Sequence, residues 1–383
     1  MNIILAPDSF KGTLSARQVC EIMAEELTAV FPDCRITSIP VADGGGGTVE
    51  CFVTALGGDV VHTRVSGPYF EPVDGFYGII NDHLGRRTAV IEMAAAAGLP
   101  LAESTERGSD PCLTTTYGVG ELILDAVKHD CRRVIMGLGG SCTTDGGCGM
   151  AAAVGVKFYD ADGNSFVPVG GTMEKVVRID MSGKDNMLDG VEFVTMCDVD
   201  NPMYGPAGAA YVFAPQKGAD AVAVERLDAG LRSLCGVMEA ELGVQLSELA
   251  GGGAAGGLGA GMLAFLGATP TRGIDVVLDT VGFDTAVKNA DFVFTGEGKM
   301  DSQSVRGKVI SGVARRAAAA GVAVIAVVGD AAPGSEQMLD SGVTAIFSNN
   351  RLALPFEKVK AHSGDNMHFV MKNIARLIKA TRV

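Results

Sequence analysis

Short apolar runs alternate along the chain with polar, glycine-rich loops, and most runs are followed by segments whose apolar positions have helical spacing. Asn2–Ala6 (NIILA) predicts a buried strand, and Ser15 caps a helix running to about Val30. Arg35–Val41 predicts a second strand and Val49–Leu56 the helix after it. The texture then changes. Val60–Gly85 reads as short strands and turns, Ala89–Met93 as a strand and Gly118–Lys128 as a helix. Arg133–Leu138 and Val191–Met196 read as strands, and a helix of about twenty residues starts near Asp220. From Ala290 simple alternation returns. Strands are expected at Asp291–Thr295, Val322–Gly329 and Thr344–Ser348, with helices at Val309–Ala320, Ser335–Gly342 and Asn366–Ala380.

The two ends together supply five strands alternating with helices. This predicts an α/β fold: a flavodoxin-like (Rossmann-like) parallel sheet of order 2-1-3-4-5, built from residues 1–58 plus 289–383. A second α/β domain, 59–288, is inserted between its second and third strands. At 383 residues the chain suits two domains, and 47% apolar with 20% charged residues is a globular profile. The 52 glycines against 6% aromatics point to loops where backbone meets ligand.

Charge and cysteines narrow the class. A net charge of −14 argues against nucleic acid as partner. Nine scattered cysteines without a C-x-x-C pair suggest neither a disulfide framework nor zinc, and a reduced, cytoplasmic setting is expected. Pro7, Asp8 and Lys11 interrupt the first apolar run, so it does not read as a signal peptide. The uncharged stretch Leu249–Thr271 contains eight glycines and is too weakly hydrophobic to predict a membrane span.

Candidate chemistry lies in four loops at strand ends, where open α/β sheets place ligands. These are PDSFKG (Pro7–Gly12), the run Asp43–Thr48, the run Gly139–Gly149, and Thr295–Lys308, TGEGKMDSQSVRGK. Carboxylates in them can hold Mg²⁺, lysines can neutralise phosphate, and glycines let backbone N–H groups approach an anion. No P-loop pattern and no protein-kinase set is present. Gly251, Gly253 and Gly256 match G-x-G-x-x-G, but no strand precedes them, so helix packing or a phosphate loop explains them better than a dinucleotide site. The five histidines lie outside all four loops, which leaves a Ser-His-Asp hydrolase unsupported.

Eight segments carry a family resemblance: PDSFKGTLSA, VADGGGGTVE, IEMAAAAGL, GLGGSCTTDGGCGM, CDVDNP, FAPQKGA, GGGAAGGLGAGMLAFLGA and FTGEGKMDSQSVRGK. In that order, from Asn2 to about Ser348, the chain resembles the bacterial glycerate kinase family, the class that makes 2-phosphoglycerate. The resemblance implies ATP-dependent phosphorylation of D-glycerate with Mg²⁺, in a two-domain enzyme with its cleft between the domains. The chain departs from the family's usual ADGGEGT at Gly46, from AASGL at Ala97, and again after Phe347, where Ser348, Asn349 and Asn350 follow.

Phosphoryl transfer needs mainly positioning and charge neutralisation. On that basis Asp8, Asp43, Glu297 and Asp301 are the candidate Mg²⁺ ligands, and Lys11 and Lys308 the neutralising cations. Asp198 and Asp301, with Lys11, are the candidate catalytic residues, a carboxylate serving as base or orienting group. Ser9, Gly139, Gly140, Ser141, Gln216, Lys217 and Lys308 are assigned to nucleotide or phosphate, and Asp145 and Asn201 to substrate. Phosphorylation at the 3-position, or a lapsed enzyme that binds a nucleotide or sugar acid, are the alternatives. A homodimer is compatible with this reading.

Overall fold

The structure, a computed structural model, describes residues 1–300, 308–352 and 354–381. In chain order its strands are β1 (Asn2–Pro7), β2 (Arg35–Ser38), β3 (Asp59–Ser66), β4 (Pro72–Asn81), β5 (Arg87–Glu92), β6 (Arg133–Gly137) and β7 (Lys157–Tyr159). There follow β8 (Ser165–Phe166), β9 (Arg178–Asp180), β10 (Glu192–Met196), β11 (Thr269–Thr271), β12 (Phe292–Met300), β13 (Ala323–Ala331) and β14 (Ala345–Ser348). The chain divides into two compact units. One comprises Met1–Ala42, Glu50–Gly57 and Ile274–Val383, and the other Asp43–Val49 and Gly58–Gly273.

The first unit is built on a five-stranded parallel sheet in the order β14-β13-β12-β1-β2, the flavodoxin-like order expected from the alternation at the two chain ends. The first helix, Ala16–Val30, starts where Ser15 and Gln18 close a capping box, each side chain accepting the other residue's backbone N–H. Its buried positions Val19, Met23 and Leu27 repeat at one turn. They pack with Ile3, Leu5 and Phe294 from the sheet and with Met371 and Ile374 from the closing helix, Ser363–Thr381. The helix Val309–Ala319 packs against β12 and β13.

One segment departs from expectation. Gly296–Met300 continues β12 instead of forming a loop, paired along its length with β13 from Gly296↔Val327 to Met300↔Ala331. Glycine permits this close ladder: a Cβ at Gly296 would stand 2.1 Å from the Val327 carbonyl oxygen. Polar residues in a run therefore do not end a strand whose neighbour continues to pair with it.

The second unit holds a six-stranded mixed sheet in the order β11-β10-β6-β5-β4-β3 and a small antiparallel sheet β8-β7-β9. β3, β4 and β5 pair antiparallel, whereas β5, β6, β10 and β11 run parallel. The residues 60–85 thus form two long strands of a meander. The helix Ala221–Leu242 is capped by Asp220, whose side chain accepts the Ala223 N–H at 2.8 Å. Gly251–Gly257 forms turns leading into the helix Leu258–Leu266, packed closely on the Gly139–Gly149 loop. No helix among the described residues is long and apolar enough to cross a membrane.

Candidate active site

In the first unit the strand order reverses between β1 and β12, and the carboxyl ends of these strands carry its candidate residues. The Asp8 N–H donates to the Gly296 carbonyl at 2.8 Å, extending the register past the Pro7↔Gly296 pair. Asp8 and Glu297 are the residues that follow this pair on the two neighbouring strands, and both are buried. Asp8 Oδ1 accepts the Ser9 N–H at 2.6 Å. The chain then crosses Gly298, where a Cβ would lie 3.2 Å from the Lys11 nitrogen. Lys11 itself is exposed, as is Lys308 at the start of Val309–Ala319. Asp301 lies outside the described residues.

In the second unit the loops after β5, β6 and β10 converge with the run Asp43–Val49. The Gly139 N–H donates to the Gly44 carbonyl at 2.9 Å, and a Cβ on Gly139 would meet Gly45 Cα at 2.6 Å. Only glycine allows the two loops this contact. Asp43 Oδ1 accepts the Gly45 N–H at 3.1 Å. Asp198 Oδ1 accepts the Gly273 N–H at 2.8 Å. A Cβ on Gly273 would stand 3.1 Å from Asp198 Oδ2 and 3.4 Å from the Asp43 carbonyl carbon, so these two aspartates occupy adjacent loops.

Ser141 is half-buried and Gly140 exposed, and neither backbone N–H has an acceptor among the described residues. Lys217 is 2% exposed. Its ammonium donates to Ser141 Oγ at 2.8 Å and to the Thr143 carbonyl at 2.6 Å. Burial lowers its pKa to about 8, with Cys142 and Asp145 acting in the opposite direction. The neighbouring Gln216 is exposed. Asn201 donates from Nδ2 to the Ala207 carbonyl at 2.7 Å and shapes a turn.

Asp145 is wholly buried. Its Oδ2 accepts from Thr116 N at 2.7 Å, Thr116 Oγ1 at 2.8 Å and Gly149 N at 3.2 Å, and its Oδ1 from Gly147 N at 3.0 Å. Burial outweighs these donors and raises its pKa. Both oxygens are committed to the loop, which is a positioning geometry.

Glu92, at the end of β5, is buried and was not among the residues singled out in the sequence. Its Oε1 accepts the Val49 N–H at 2.8 Å and so ties β5 to the end of the glycine run. The signal for it was available: a lone acid closing an apolar strand in AVIEM.

Among the described residues, no three or more His, Cys, Asp or Glu side chains converge on a metal cage. Asp8 and Glu297 offer hard carboxylate oxygens at the ends of two neighbouring strands, each one residue past the Pro7↔Gly296 pair. That suits Mg²⁺, which takes one or two carboxylates and completes its shell with phosphate and water.

A parallel sheet with two buried acids at its order reversal, and a second unit with touching glycine loops at its strand ends, is an architecture that suits an α/β enzyme acting on a small molecule. The chain belongs to the glycerate kinase family, whose pattern matches residues 3–379. It is 43% identical to the glycerate kinase of Bacillus subtilis (strain 168), over 100% of this chain and 99% of that protein. It is 40% identical to the glycerate 2-kinase of Escherichia coli (strain K12), over 98% of this chain and 97% of that protein. A crystal structure described as that of a glycerate kinase 2 from Salmonella typhimurium LT2 superposes with a TM-score of 0.87 at 40% identity, covering 99% of this chain and 98% of that one.

Proposed function

We propose that this protein transfers the γ-phosphoryl group of ATP to the 2-hydroxyl of D-glycerate, releasing ADP and 2-phosphoglycerate. The observation that carries this reading is the two buried acids, Asp8 and Glu297, each one residue past the Pro7↔Gly296 pair where the strand order reverses, in a member of the glycerate kinase family. In this reading Asp8 and Glu297 hold Mg²⁺, with Asp43 and Asp301 as further ligands, directly or through water. The ion supplies charge neutralisation at the transferring phosphate. Lys11 and Lys308 add positive charge there, and Ser9 contributes a polar contact.

In the second unit, Gly140 and Ser141 supply backbone donors, Gly139 holds their loop through its bond to Gly44, and Asn201 and Gln216 supply polar contacts. Asp198 takes the proton of the attacking hydroxyl. The hydroxyl oxygen bonds to the γ-phosphorus as the bond to the β,γ-bridging oxygen breaks, and ADP carries away that electron pair. Asp301 is the alternative base, and Asp145 holds the loop. The test is ADP release coupled to NADH oxidation, with D-glycerate, ATP and Mg²⁺. A folded protein without glycerate-dependent turnover would overturn the reading.

A further inference from the structure

Lys217 is a buried lysine that ends on a hydroxyl. Its Nζ is enclosed, and it donates to Ser141 Oγ and to the Thr143 carbonyl. Burying an ammonium is costly unless its charge is used or well compensated. The charged and titratable groups acting on it are Cys142 and Asp145. Cys142 is pushed up to about 12 by burial and is a neutral thiol at physiological pH. Asp145 has both oxygens engaged by four other donors. Neither makes a hydrogen-bonded ion pair with Lys217.

The direction of the Ser141 hydrogen bond is what matters. An ammonium has donors only, so Ser141 Oγ accepts from Lys217, and the hydroxyl hydrogen must turn elsewhere. Among the described residues no acceptor takes it, and the backbone N–H groups of Gly140 and Ser141 are likewise without acceptors. Three donors without acceptors among the described residues therefore lie on one partly exposed loop, and one of them is bonded to the buried ammonium.

We propose that Lys217 is a positioning residue that acts through Ser141: it orients and polarises the Ser141 hydroxyl to bind the carboxylate of the hydroxy-acid substrate. The inference rests on the kinase reading above and deepens it. One positive charge behind one hydroxyl matches a monoanion. A triphosphate, with several charges, would call for direct cationic contacts such as Lys11 offers in the first unit.

The test measures D-glycerate binding by calorimetry, together with KM for D-glycerate and for ATP, between pH 7 and 9.5. In the wild type, D-glycerate affinity and kcat/KM fall about tenfold per pH unit above about 8, where the buried amine loses its proton, while KM for ATP stays within about twofold. Ser141→Ala weakens D-glycerate binding about tenfold or more, the worth of one charge-assisted hydrogen bond, and flattens the fall above pH 8. Lys217→Met behaves like Ser141→Ala. If Lys217→Met fails to fold, the wild-type and Ser141→Ala profiles still decide.

A wild-type affinity that is flat to pH 9.5, or Ser141→Ala with wild-type affinity and pH profile, overturns the proposal. A KM for ATP that moves in place of that for D-glycerate also overturns it, and assigns the donors to phosphate. Glycerate binding with the predicted profile but without turnover overturns the kinase reading alone. No glycerate binding by the wild type overturns both.

Discussion

Replacing Asp145 with asparagine removes a charge from a site where every acceptor position is used. The amide oxygen can keep the place of Oδ2 and its three donors, Thr116 N, Thr116 Oγ1 and Gly149 N. The amide NH₂ then takes the place of Oδ1 and faces the Gly147 N–H, donor against donor. Two buried donors are left unpaired at about 1–3 kcal/mol each, and three bonds drop from charge-assisted to neutral. Relief of the buried charge offsets part of this, and the net expected loss is about 3 kcal/mol.

Thermal and urea unfolding measure it. For a unit of this size about 3 kcal/mol lowers Tm by about 6–12 °C. The pH dependence has a definite sign. Burial raises the Asp145 pKa, so as pH falls the native state binds a proton before the unfolded state does. Wild-type stability contributed by this group is therefore highest at low pH. It falls as pH rises through the folded pKa, and the gap to Asp145→Asn narrows over the same range. Below its melting temperature the variant should also lose D-glycerate affinity, because Ser141 shares the loop. Melting within 1 °C of wild type with unchanged glycerate KM would refute the anchoring role.

Three further expectations follow from single residues. Lys217 holds its proton less tightly when folded than the ordinary 10.5, so wild-type stability should rise between pH 8 and 10.5 by about 3 kcal/mol, a slope absent from Lys217→Met in urea titrations. Gly46 is exposed, lacks positive φ and has nothing within 4 Å of a built Cβ. Gly46→Glu should therefore melt within about 1 °C of wild type and keep glycerate-dependent turnover, and a large Tm loss would contradict this geometry. Asp8→Asn should raise the Mg²⁺ concentration for half-maximal turnover by about tenfold or more with little change in KM for D-glycerate, and an unchanged Mg²⁺ titration would exclude it as a ligand.

Much of the scaffold was legible in the chain. Continuous apolar runs such as NIILA marked the parallel strands, and Ser15 and Asp220 marked helix starts, because local capping and burial agree there. The extension of β12 through Gly296–Met300 was not legible, since polar residues and glycines read as a loop until β13 supplies their partners. The candidate loops could be read from the chain, but not what each of their side chains touches. Lys217 in PQKGA reads as a contact to nucleotide or phosphate, and only tertiary packing shows it buried against Ser141. Asp145 likewise looks like a ligand contact until the donors from Thr116, 29 residues away, are seen to fill it. Glu92 was overlooked because a single acid at a strand end has no local partner, and its partner is Val49.

The central claim is best tested by the identity of the product. Purified protein is incubated with ATP, Mg²⁺ and D-glycerate, and the new phosphate ester is read by proton-coupled ³¹P NMR. Phosphorylation at the 2-hydroxyl predicts ADP and an ester signal split into a doublet by the single C2 proton. A triplet from the C3 methylene would move the reaction to the other hydroxyl, and ATP left intact would contradict the account.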